Sequence, residues 1–150
     1  MKIILLSILL IFALTGTVMA AERPVFMEEE IIVLCNELRQ SMGLPALTHN
    51  WEAARVARYK TEDMKENGYF GHDSPVYGSF FEMLKNFHIP YSSAGENIAT
   101  GFKCPQAVVE AWMDSPNHRK NILNGNFTQA GVGYTTDGKS HYWAIILLSN

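Results

Sequence analysis

Apolar residues recur with two different periods along this 150-residue chain, and the change of period divides it. From Glu28 a helix is predicted, because Ile31, Leu34, Cys35, Leu38 and Met42 repeat along one helical face. Asn36, Glu37, Arg39 and Gln40 point away from that stripe. Glu28, Glu29 and Glu30 fall in its first turn, where the helix dipole favours anions, and Gly43 supplies the stop. "LPALTHN" reads as a connection whose Asn50 caps a second helix. Ala53, Val56, Ala57 and Met64 share one face of that helix, and the alanines predict close packing on a neighbour. Asn67-Gly68 ends it.

Residues 68–78, "GYFGHDSPVYG", are too rich in Gly, Pro and Asp for regular structure and read as loop. A short helix is predicted over 79–87, then an irregular stretch to Ser93, then a strand at "AGENIAT", residues 94–100. Pro105 suits the first position of a further helix, with Val108, Ala111 and Trp112 as its buried stripe. Pro116 disfavours helical geometry at Ser115 and ends it. Beyond this point the period falls to two. "GVGYTTDGKSHYWAIILLS" reads as two strands joined at Asp137-Gly138. In the last strand both alternating sets are apolar: Trp143, Ile145, Leu147 and Tyr142, Ala144, Ile146. Both faces of that strand must therefore be covered. The fold class that follows is α+β, with helices on either side of a small antiparallel sheet.

The first twenty residues stand outside this scheme. One lysine, an apolar run and the ending Val18-Met19-Ala20 make a secretory signal peptide, with cleavage expected after Ala20 or Ala21. Residues 21–27 then form a short leader and 28–150 a single domain. The remaining chain, about 130 residues, is long enough for its own core. Its formal charge moves from −3 to −4 once Lys2 is lost, and it carries no basic stripe, which excludes a nucleic-acid partner. Export permits a bridge between Cys35 and Cys104, the only two cysteines, though two free thiols remain equally open.

Three polar blocks are left over: "YFGHDSP" with His72, "GEN" with Glu96 and "SPNHR" with His118. Each sets an ionisable residue beside Gly or Pro and close to apolar residues, where an unpaired charge is costly. Spacing alone assigns them nothing, since a histidine near a core is usually a satisfied structural residue. No G-x-S-x-G elbow, HExxH motif or phosphate-binding glycine loop is present, and neither cysteine has a neighbouring base.

Taken together and in order, "YFGHDSP", "AGENIA", "AVVEAWMDSPNHRKNIL" and "QAGVGYTTDGKSHYWA" resemble the secreted CAP superfamily, the SCP or pathogenesis-related-1-like domain, in its small bacterial form. The resemblance runs from about residue 30 to about 148. It implies a three-layer α-β-α sandwich with a central cleft of two histidines and two acids. His72, Glu96 and His118 match three of these. Glu82, in "SFFEML", matches the second acid by its distance from His72. The Ser115-Pro116 break would turn His118 into the cleft while Ile122 and Leu123 anchor the turn. The several disulfides of plant and animal members are missing, and functions tied to them do not carry over. "NFT" at Asn126 is a glycosylation sequon.

Such a cleft permits three chemistries. His72 and His118 as neutral imidazoles suit a divalent metal such as Zn2+, with the glutamates orienting them. A metal-dependent, peptidase-like hydrolase would use Glu96, with Glu82, as general base. A non-enzymatic module would bind a small ligand, a lipid or an extracellular or envelope partner. A monomer with no stable membrane span after cleavage is expected.

Overall fold

The computed structural model describes residues 15–150, with side chains from residue 25 onward. Its elements in chain order are α1 (Thr15–Ser41), β1 (Thr48–His49), α2 (Trp51–Glu66), α3 (Phe80–Asn86), β2 (Ser93–Thr100), α4 (Pro105–Asp114), α5 (Pro116–Ile122), β3 (Gln129–Thr136) and β4 (His141–Ser149). Residues 1–14 of the expected signal peptide lie outside the described residues. The expected leader, 21–27, belongs to α1. No helix among the described residues is long and apolar enough to cross a membrane.

The strand order is β1-β3-β4-β2. β3 and β2 both pair antiparallel with β4. The sheet is mixed rather than wholly antiparallel, because two residues of β1 run parallel to Gln129 and Ala130 of β3. β1 lies inside the segment read from sequence as a plain connection. The Thr48 amide donates to Thr128 O at 2.9 Å, and the amide of Asn50, just beyond the strand, to Ala130 O at 2.8 Å.

β4 carries the two apolar faces its sequence requires. Trp143, Ile145 and Leu147 pack with Ile31, Cys35, Val108, Trp112 and Ile122 of α1, α4 and α5. Ala144, Ile146 and Leu148 pack with Ala53, Val56, Ala57, Met64, Met83 and Leu84 of α2 and α3. The result is a helix-sheet-helix sandwich with a core on each side of the sheet. The alanines of α2 have the expected consequence. A Cβ at Gly131 of β3 would overlap the backbone of Ala53 and Ala54, so helix and strand meet backbone to backbone.

α1 corrects the sequence reading. Glu28, Glu29 and Glu30 are not in a first turn, because the helix begins at Thr15. Its buried residues are Glu28, Ile31, Ile32, Cys35 and Arg39; of the predicted stripe, Ile31 and Cys35 are fully buried, Leu34 and Leu38 pack at the edge of the core, and Met42 is 65% exposed. The two charged ends are buried because each is satisfied. Glu28 accepts from Arg58 Nε at 2.9 Å and Tyr134 N at 3.0 Å. Arg39 donates to the carbonyls of Pro45, Ile122, Asn124 and Phe127 at 2.8–3.0 Å. A guanidinium with its donors matched can be buried at little cost. Cys35 and Cys104 are free thiols, the first buried in the core and the second exposed.

Candidate functional site

β2 forms one edge of the sheet, and the site is built around it. Successive side chains of a strand point to opposite faces. Ala94 and Ile98 pack in the α2/α3 core, which places Glu96 on that face. Ala99 packs in the other core, which places Asn97 towards α4 and α5. One residue apart, Glu96 and Asn97 therefore serve opposite layers.

On the first face, the loop after α2 brings His72 to Glu96, Nδ1 to Oε1 at 2.7 Å. The carboxylate is 2% exposed and the imidazole 55%. The hydrogen bond to Glu96 holds the His72 pKa above the usual histidine value, against the opposing effect of burial. Glu96 Oε2 is buried and has no hydrogen-bond partner among the described residues.

On the second face, Pro116 does more than break α4. It is the first helical residue of α5, which the sequence reading took for a turn. Asn97 Nδ2 donates to the His118 carbonyl at 3.0 Å. Asn121 Nδ2 donates to Asn97 Oδ1 at 2.9 Å and to the Glu96 carbonyl at 3.3 Å. Residue 95 is glycine, and a Cβ there would press on the Phe127 ring at 3.0 Å and meet Asn121 of α5 at 3.4 Å. Ile122 is fully buried, as expected of the anchor, and Leu123 packs at the edge of the same core. His118 is half-buried. Burial lowers its pKa, and the charge on His72 lowers it further. The His72 side chain and the His118 backbone thus meet the same edge strand from opposite layers.

Glu82 is placed differently. Its Oε2 accepts from Ser79 N at 2.7 Å and Ser79 Oγ at 2.8 Å, closing a capping box at the start of α3. Those bonds hold its pKa below the usual carboxylate range. It is exposed, and among the described residues it makes no hydrogen bond to either histidine. No group of three His, Cys, Asp or Glu among the described residues is arranged to hold a metal ion. What the site offers is the His72 imidazole oriented by a buried carboxylate, with the His118 backbone held against the other face of the same strand.

The description of the CAP family, the cysteine-rich secretory protein family, matches residues 33–148. This chain belongs to the CAP family. Over 111 residues the CAP domain is 52% identical to the uncharacterized Bacillus subtilis protein YkwD, covering 74% of this chain and 43% of YkwD. Over 106 residues it is 43% identical to the B. subtilis membrane protein YlbC, covering 71% of this chain and 31% of YlbC. The chain thus spans less than half the length of these relatives. Among solved structures, an extracellular SCP-domain protein from Bacillus anthracis superposes with a TM-score of 0.81 at 34% identity, covering 91% of this chain and 44% of that one.

Beneath the His72 loop lies a network absent from the sequence reading. Lys60 of α2 is buried to 1% exposure and donates to the His72 carbonyl at 2.8 Å and the Tyr69 hydroxyl at 3.1 Å. Asp63 accepts from Ser74 Oγ at 2.6 Å, from Asn67 Nδ2 at 2.8 Å and from the Tyr69 hydroxyl. Ser74 Oγ also accepts from the amides of Val76 and Tyr77, tying the loop into a tight turn. One feature of the sequence marks this network. Lys60 falls on the same helical stripe as Ala53, Val56, Ala57 and Met64, where a cation has no place unless it is paired.

Proposed function

We propose that this CAP domain is an exported binding module whose His72 and His118 imidazoles hold a divalent cation such as Zn2+ at the edge of β2. One observation carries the reading. Glu96 engages Nδ1 of His72, so the ring is oriented with Nε2 left for a ligand. A carboxylate behind a ligating histidine is the usual way such a ring is fixed and made more basic. Two imidazoles are a suitable but incomplete donor set for zinc, with the remaining positions left to water or to a bound partner's own donor. A bound cation would supply positive charge to attract that donor. Export is supported by the N-terminal sequence and by the extracellular B. anthracis relative.

The side chains favour binding over hydrolysis through a protein nucleophile. Ser74 Oγ donates to Asp63 rather than to an imidazole. Burial pushes the Cys35 thiol up to about 12, far from thiolate formation. The test is zinc titration by calorimetry with native mass spectrometry. The parent is expected to bind about one zinc, and His72→Ala/His118→Ala to lose that binding while remaining folded. Equal affinity in the double variant would end the metal reading.

A second reading, lipid binding, is favoured by a separate feature. A groove of about 310 Å³ between α1 and α4 is lined by Leu34, Leu38 and Val109, with Glu37 and Glu110 among its polar residues. That volume is at the low end for small-molecule sites. A lipid that co-purifies with the parent and is lost from Leu38→Trp would place it there, and retention in the variant would not.

A further inference from the structure

The chain contains two Asn-Gly pairs, Asn67-Gly68 and Asn124-Gly125. At such a pair the glycine nitrogen can attack the asparagine side chain, because no Cβ obstructs it. The fold treats the two pairs differently. Asn67 is the C-cap of α2. Its Nδ2 donates to Asp63 Oδ1 at 2.8 Å, so the nitrogen that would leave is held by a buried carboxylate. Gly68, at φ 64°, lies in the left-handed region, and its peptide cannot reorient without undoing that helix end. Asn124 lies in the link from α5 to β3, where Gly125 and Asn126 are exposed. Here the oxygen is the bonded atom: Asn124 Oδ1 accepts from the Asn126 amide at 2.9 Å. That donor folds the side chain over the Gly125 peptide and polarises the carbonyl at the carbon to be attacked. A Cβ at Gly125 would meet Leu44 at 3.4 Å, an ordinary contact, so packing does not require the glycine.

We propose that Asn124-Gly125 is a spontaneous modification site of the folded protein, and that its product loosens the anchor between α1 and α5. The Gly125 nitrogen gives its proton to solvent and bonds to Asn124 Cγ, and the side-chain nitrogen departs as ammonia. Water then opens the cyclic imide at either carbonyl. One opening leaves aspartate at position 124. The other leaves isoaspartate, with the main chain rerouted through the side chain and longer by a methylene. The balance is a water consumed and an ammonia released. The isoaspartate matters because of Arg39, which is fully buried and donates to the carbonyls of Pro45, Ile122, Asn124 and Phe127. Its Nη1 holds Ile122 O, at the end of α5, at 2.8 Å and Asn124 O at 2.9 Å. Lengthening the chain at residue 124 displaces that second carbonyl and leaves a buried guanidinium donor without its acceptor. α5, the helix of His118, then loses part of its tie to α1. The inference does not depend on the metal reading.

The test is ageing of the full chain at mildly alkaline pH, folded and in concentrated urea, followed by peptide mapping in a mass spectrometer and an isoaspartate assay. In urea the two pairs are expected to react at equal rates. In the folded chain Asn124 is expected to stay near its urea rate, while Asn67 falls at least about tenfold below it. Reaction at Asn67 as fast as at Asn124 in the folded chain would overturn the assignment, and so would the same difference persisting in urea. Gly125→Ala, aged alongside, is expected to remain folded with little product at position 124. Reaction there at the parental rate would overturn the route through the Gly125 nitrogen. The anchor is tested on the isoaspartate form after chromatographic separation. Its Tm is expected to fall by about 5 °C or more, with faster amide exchange over residues 116–128. Asn124→Asp carries the same charge on an unaltered main chain and is expected to stay within about 1 °C of the parent. An isoaspartate form as stable as the parent, or an equal loss in Asn124→Asp, would overturn the anchor role.

Discussion

Glu82 and Glu96 are both acids that resemblance assigns to one cleft, and the structure gives them opposite surroundings. Glu82 sits in water at the start of α3 and spends its carboxylate on the backbone and hydroxyl of Ser79, three residues away. Glu96 sits mid-strand, almost fully buried, and reaches across the chain to His72. A capping box is a local arrangement that any short helix can assemble. A buried carboxylate with one oxygen unpartnered requires distant elements to be held in place around it. The contrast shows that the residue type and its distance from His72 are poor guides. Burial and the identity of the partner decide which acid belongs to the site.

This contrast can be broken most forcefully at Glu96. Glu96→Ala leaves His72 without its buried partner, and is expected to cost about 3 kcal/mol of stability in urea unfolding. A loss as small as that of a surface substitution would place Glu96 in water, like Glu82.

The histidines sharpen the contrast through pH. The folded pKa of His72 lies above its unfolded value. Its contribution to stability is therefore full below about pH 6.5 and is lost as pH rises through the folded value. The folded pKa of His118 is depressed. Its contribution is present above about pH 6.5 and is lost as pH falls towards the folded value. In thermal unfolding from pH 5 to 8, the deficit of His72→Ala should be largest at the acid end and that of His118→Ala at the alkaline end. Parallel deficits would contradict the assignment. The smallest effect is expected at Glu82. Glu82→Ala removes half of a capping box and should lower Tm by about 2 °C, with no change in zinc affinity. A loss of zinc affinity in this variant would return Glu82 to the site.

Much of the fold was legible where the chain is apolar. The double-faced β4, the turn at Gly138, the Asn50 cap and the Pro105 start all follow from local rules, and the structure contains each. The misreadings occur where polar residues do structural work. The burial of Glu28 and Arg39 on α1 was missed because both are charged, and it depends on partners as distant as Tyr134 and Phe127. α5 was read as a turn because Pro116 was treated as a stop, when it also begins a seven-residue helix. Resemblance singled out His72, Glu96 and His118, but the contact of His72 with Glu96 required the sheet register that puts residue 96 on the α2 face. Lys60 was visible as a cation in an apolar stripe, and it was overlooked because its partner is a backbone carbonyl twelve residues along.

The most direct measurement of the central claim is the titration of His118 followed by NMR in the parent and in His72→Ala. If the rings meet across β2, removing His72 takes away both a neighbouring charge and some of the burial that depress the His118 pKa, so that pKa should rise. An unchanged His118 titration in a folded His72→Ala protein would mean that the two imidazoles do not share a site.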